Sequence, residues 1–127
     1  MCVIIDRPAN VPISHDILHS AIMDNQDGWG WMYSDGVAII ADWGMEYESF
    51  FTSYATIPVD AHVTLHFRWC THGDVGEKNC HPFLINGDDY GVVHNGVVNH
   101  VEITSRAMSD TWHFAKYQLS DAMHLHG

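Results

Sequence analysis

Basic residues are scarce in this chain. Five Lys and Arg stand against 16 Asp and Glu in 127 residues, a formal charge of −11 with histidine neutral. Nucleic-acid binders draw on cations that neutralise phosphates, so this composition argues against a nucleic-acid partner and for a solvated acidic surface. Cysteine is rare too. Cys2, Cys70 and Cys80 are odd in number and irregular in spacing. That excludes an ordinary disulfide framework and fits reduced thiols. No apolar run approaches the roughly 18 residues of a membrane span. The start, Met1 to Pro8, lacks both the basic region and the apolar stretch of a secretion signal. These absences predict a cytoplasmic protein with no membrane partner. No repeat, linker or low-complexity tract divides the sequence, so a single domain over 1–127 is expected.

What is present suffices for a core: 46% of the residues are hydrophobic and 12% aromatic. The run Cys2 to Asp6 reads as a buried strand, and Ile13 to Met23 carries apolar residues at helical spacing. Asn25-Gln26-Asp27-Gly28 is a turn. Trp29 to Ser34 and Val37 to Asp42 flank Asp35-Gly36, a two-residue hairpin signal. Glu46 to Ala55 reads as a helix that Pro58 closes off. His62 to Trp69 alternates as a strand, and Cys70 to Asn79 is a polar loop. His81 to Ile85 and Tyr90 to His94 pair across a turn at 86–89. Asp110 to Met123 reads as a final helix, with Ser109 or Asp110 as its cap. Helices mixed with hairpin strands favour an α+β fold over a doubly wound parallel sheet.

Cys2 follows the initiator methionine, which is commonly removed before small residues. A chain beginning at Cys2 would carry a free α-amine beside a thiol. Such an amine has an unperturbed pKa near 8, so part of it is free base at neutral pH and can accept the thiol proton. On its own, the cysteine could equally pack in a first strand as a small hydrophobe.

Four downstream segments are more polar than a core requires: Asn25 to Gly30; Arg68-Trp69-Cys70-Thr71-His72-Gly73 with Asn79-Cys80-His81-Pro82-Phe83; Val92-Val93-His94-Asn95-Gly96; and Ser109-Asp110-Thr111. With Cys2, they resemble, in order, the conserved elements of the class II glutamine amidotransferases, a branch of the N-terminal-nucleophile hydrolases. The spacing is most similar to small stand-alone members of phages and bacteria.

The resemblance implies an αββα sandwich and a glutaminase that needs no cofactor and no metal. It implies Cys2 as nucleophile, and Asn95 with Gly96 as oxyanion hole. It implies Arg68, Trp69, Thr71, His72 and Asp110 as the residues around glutamine or a related γ-glutamyl amide. The chemistry suits the residue types. A guanidinium fork matches a carboxylate, a carboxylate matches an α-ammonium, and fixed N–H donors stabilise a developing oxyanion. Each residue also has an ordinary use. Arg68 could form a surface ion pair, Asn95-Gly96 a hairpin turn, Asp110 a helix cap and Trp69 a core aromatic.

The chain departs from the family pattern at Val3, Cys70 and Trp112, and it stops soon after the Ser-Asp-Thr element. A sandwich truncated on its C-terminal side is therefore expected. Its open sheet edges could pair in a homo-oligomer or on a separate synthase subunit that carries the acceptor. Two other readings stay open. One is a catalytically silent binder on the same scaffold. The other is a zinc protein using His15 and His19, His62 and His66, or Cys70, His72, Cys80 and His81.

Overall fold

The computed structural model describes residues 2–71 and 73–126. It is an α+β structure, built in chain order from β1 (Val3–Arg7), α1 (His15–Asp24), β2 (Trp29–Ser34), β3 (Ile39–Gly44), α2 (Tyr47–Tyr54), β4 (Val63–Phe67), β5 (Phe83–Ile85), β6 (Tyr90–Val92), α3 (Asp110–His113) and α4 (Ser120–His126). A 3-10 turn, Glu77–Asn79, interrupts the loop read as irregular, and a π-helical segment, Phe114–Leu119, joins α3 to α4.

The first four strands form an antiparallel sheet in the order β1-β4-β2-β3. Register decides what each face presents. Val3 and Trp29 both lie opposite Phe67, Ile5 and Trp31 opposite Leu65, and Tyr33 opposite Val63. These side chains share a face, and Leu18, Ile22 and Phe50 of the two helices close over it. The indole of Trp31 donates to Ser53 Oγ at 2.9 Å, which satisfies its one polar atom within that core. Ser14 caps α1 by accepting from the Ile17 N–H.

The opposite face presents Gly30, Met32 and His66, and the second half of the chain packs there. A Cβ at Gly30 would lie 1.6 Å from the His81 carbonyl oxygen, so the close approach of the two segments requires glycine. Trp43 donates its indole N–H to the Pro82 carbonyl at 2.7 Å. β5 and β6 form a hairpin in which Leu84 pairs with Gly91, beside Met32. The alternate residues Phe83, Ile85, Tyr90 and Val92 turn to Trp112, Ala115, Leu119 and Met123, a second and smaller core.

Two expectations need correction, and a third is resolved. The hairpin between β2 and β3 turns through the four residues 35–38 rather than through Asp35-Gly36. Asp35 Oδ1 accepts the N–H groups of Val37 and Ala38 at 2.8 and 2.9 Å, so the carboxylate satisfies a wider loop. β3 accordingly starts at Ile39. The strands expected at 62–69, 81–85 and 90–94 are shorter, at Val63–Phe67, Phe83–Ile85 and Tyr90–Val92; beyond them the Arg68 N–H turns to the Gly28 carbonyl and the His94 N–H to His81 Nδ1. Between the two suggested caps, Ser109 is the one that accepts the Trp112 N–H.

Candidate active site

Cys2 stands immediately before β1, half-buried. Antiparallel pairing of Val3 with Phe67 brings it alongside the chain leaving β4. Its Sγ accepts the Trp69 N–H at 3.2 Å and lies 3.4 Å from the Trp69 carbonyl. From across the molecule, Asn95 Nδ2 donates to the Cys2 carbonyl at 2.8 Å. Residues 2, 69 and 95 are thus joined directly. Gly96 follows at φ +131°, in the region that favours glycine.

Two stacked imidazoles hold the turn that carries Asn95. The His66 and His81 rings lie 3.9 Å apart and 4° from parallel. His81 Nδ1 accepts the His94 N–H at 3.0 Å, and His66 Nε2 sits 3.2 Å from the His94 carbonyl oxygen, to which it donates. Burial pushes the pKa of His66 down to about 4 and that of His81 to about 2, so both rings are neutral at pH 7. Neutrality is what the geometry needs, since His81 must present a lone pair to His94. The His66 Nδ1 atom has no hydrogen-bond partner, an unusual cost for a ring this buried. His94 Nδ1 in turn meets Thr111 Oγ1 at 3.2 Å.

Arg68 is 3% exposed. Its Nη1 donates to the Asp74 carbonyl at 2.8 Å, and Nη2 lies 3.5 Å from Cys70 Sγ. The turn at 25–28 steers this stretch. Asp27 N–H donates to the Arg68 carbonyl at 2.9 Å, and Asp27 Oδ2 accepts the Cys70 N–H at 2.7 Å. The fully buried Asn79 fixes the other end. Its Nδ2 reaches the carbonyls of Asp74 and Ala107, and its Oδ1 accepts the Ser109 N–H at 2.8 Å. One amide thereby joins the Arg68 loop to the start of α3. Asp110, 7% exposed, accepts the Val98 N–H on Oδ2 at 2.7 Å and the Thr111 N–H on Oδ1 at 2.8 Å. Ser109 does the capping, so Asp110 is spared that task.

These groups enclose a tight cavity of about 20 Å³. Cys2, Arg68, Trp69, Thr71, Gly96 and Asp110 all line it, with His81, His94, Ser109 and Thr111. Asn95 adjoins it through the Cys2 carbonyl. His72, the remaining residue of the set expected from sequence, lies outside the described residues. Trp69 is 50% exposed, which rules out the core-aromatic alternative. Sequence reasoning passed over Asn79, His94 and Asp27 as site residues and offered His81 only as a zinc ligand. Each lies inside one of the polar segments, and a polar side chain at a loop was the available signal.

The zinc reading gathers no ligand set among the described residues, which leave out His72. Among the described residues, no three His, Cys, Asp or Glu side chains converge as a metal site would require. His19 bonds Tyr47 and His62 bonds Asp6. Burial raises the Cys80 thiol to about 11. No helix among the described residues is long and apolar enough to cross a membrane.

The family model of the class-II glutamine amidotransferases matches residues 1–113. Among curated relatives, a glutamine–fructose-6-phosphate aminotransferase of Shewanella oneidensis is 43% identical over 51 residues, 39% of this chain and 8% of its own length. The Clostridium perfringens enzyme of the same name is 31% identical over 90 residues, 64% of this chain and 15% of its own length. The chain thus spans a small fraction of these relatives. No solved structure matches.

Proposed function

Because the chain belongs to the class-II glutamine amidotransferases, we propose that it hydrolyses the side-chain amide of glutamine, or of a related γ-glutamyl compound, through a thioester on Cys2. One observation carries this reading: the Cys2 thiol shares a cavity with a buried guanidinium, a buried carboxylate and the glycine of the Asn95-Gly96 turn. Those are the groups that an amino acid's head and a tetrahedral oxyanion would need, and nothing in a structural core demands them together.

In the proposed reaction, Cys2 Sγ attacks the amide carbon and its proton passes to the Cys2 α-amine. The C–O π electrons move to oxygen, where one Asn95 Nδ2 proton and the Gly96 N–H hold the charge. Collapse expels ammonia with the proton from the amine and leaves the thioester. Water, deprotonated by the same amine, then releases glutamate and restores the thiol. Arg68, Thr71 and His72 hold the α-carboxylate, Asp110 holds the α-ammonium, and Trp69 covers the substrate. No step calls for a metal or a cofactor. The chain then folds as an αββα sandwich. Support comes from the order of its packing: α1 and α2 on one sheet face, the β5-β6 hairpin on the other, and α3 to α4 beyond the hairpin.

The relatives transfer glutamine nitrogen to fructose 6-phosphate, by their names. A comparable acceptor would bind on a separate synthase subunit or on residues outside this match, or a homo-oligomer would complete the site. We place the reaction in the cytoplasm, where free thiols persist.

The test is an ammonia-release and glutamate assay on glutamine. Chain beginning at Cys2 should be active. Cys2→Ala, or any residue left ahead of Cys2, should be inactive while remaining folded. Unchanged ammonia release by Cys2→Ala would overturn the assignment. Silence of the processed, folded protein towards every γ-glutamyl amide tried would favour the silent binder.

A further inference from the structure

A second cavity, an open groove of about 710 Å³, is built from the same two segments that frame the Cys2 pocket. In residues 78–82, the side chains alternate. Asn79 and His81 serve the pocket, while Lys78, Cys80 and Pro82 line the groove. At the start of α3, Ser109 to Thr111 line the pocket, while Trp112 and, in the π-helical segment, Lys116 line the groove. Its volume lies within the range of about 300–1,000 Å³ usual for small-ligand sites.

The charge distribution is unexpected for this molecule. The chain holds two lysines, Lys78 and Lys116, and both line this groove. Glu77 is the one carboxylate in the lining, so the wall is net positive on a chain of formal charge −11. Neither lysine is held in a close ion pair. Lys78 Nζ lies 3.9 Å from an exposed Asp74 carboxylate, and Lys116 Nζ rests 4.5 Å above the Trp112 ring. Two indoles flank these cations. Trp43 is held by its 2.7 Å bond to the Pro82 carbonyl, and Trp112 belongs to the smaller core. Aromatic surface beside ammonium groups suits a ligand with a flat ring at one end and a compact negative group at the other.

We propose that the groove is a binding site for a small molecule that joins a planar ring to a phosphate, a nucleoside monophosphate being the simplest representative. The ring would lie against Trp43 and Trp112 while Lys78 and Lys116 take the phosphate. A low-dielectric groove focuses the field of its two cations despite the acidic surroundings. The proposal is independent of the glutaminase chemistry.

The experiment is titration of the whole chain with AMP, adenosine and inorganic phosphate, followed by tryptophan fluorescence and calorimetry at low and moderate salt. AMP should bind at least about tenfold more tightly than either fragment and should weaken as salt rises. The double variant K78Q/K116Q should lose about tenfold or more of AMP affinity, and Trp112→Leu should weaken AMP more than phosphate. Cys2→Ala should bind AMP as the parent does, which separates this result from any failure of the glutaminase assay. No AMP binding in the millimolar range would overturn the proposal. So would equal affinity in K78Q/K116Q, or loss of binding in Cys2→Ala.

Discussion

Asn95 has two N–H groups on one nitrogen, and the Cys2 carbonyl uses one of them. In the proposed reaction the same side chain therefore seats the residue of the proposed nucleophile and keeps a donor for the substrate. Asn95 is exposed, so its removal opens no cavity and orphans no buried group. Asn95→Ala should leave thermal unfolding nearly unchanged and lower kcat by about 10²–10³-fold, the usual loss for one oxyanion donor. Steady-state kinetics on glutamine checks this, and a KM that carries most of the effect would point to substrate binding instead. That Cys2, Asn95 and Gly96 would lie together was legible because their order follows a family pattern. The imidazole pair behind them was not. Two neutral histidines stacked at 3.9 Å have no sequence signature, since their protonation is decided by burial that only the folded chain creates.

At the scale of elements, the site is assembled from ends rather than from middles. Cys2 precedes β1, Arg68 follows β4, and Asp110 opens α3. Asn79 is the joint between two of those ends, with three hydrogen bonds and no exposed surface. Asn79→Ala should lower stability by about 1–3 kcal/mol, because the Ser109 N–H is left buried and unpaired. It should also raise KM for glutamine more than it lowers kcat, since Arg68 and Asp110 lose their common anchor. Unfolding curves read beside kinetics would show whether the two losses travel together. A cavity of about 20 Å³ has room for about one water, so glutamine enters only if the residues lining it shift. Helices at 15–24 and 47–54 were legible from apolar spacing, within two residues at each end. The β2-β3 turn was misread because Asp35-Gly36 looks like a tight turn, while the Asp35 carboxylate in fact organises two further amides. The 3-10 turn at Glu77–Asn79 was missed because three polar residues carry no periodicity.

For the molecule as a whole, the His66–His81 stack ties the four-stranded sheet to the segment entering the hairpin. That junction sets an acid limit. Both imidazoles titrate lower in the fold than the value near 6.5 expected of an unfolded chain, so below that pH the unfolded state binds more protons. Stability is full above about pH 6.5 and falls as the pH drops below it, by about 2 kcal/mol per ring at pH 5. Urea unfolding at pH 7.5 and pH 5.0 measures the loss, and His66→Gln should remove about half of it. A slope unchanged in that variant would place the proton uptake elsewhere. The two cores lie on opposite sides of this junction. The sequence showed enough apolar surface for both but not their division, which depends on the strand register. The loop at 35–38 bears on none of this. Nothing lies within 4 Å of a Cβ placed at Gly36, and Val37 is 91% exposed. Its amides are satisfied locally, by the Asp35 carboxylate, the Ser34 hydroxyl and the Ala38 carbonyl. A dye or an affinity handle attached there, through Val37→Cys or a short insertion, would leave the amine of Cys2 unencumbered and both cavities open to assay.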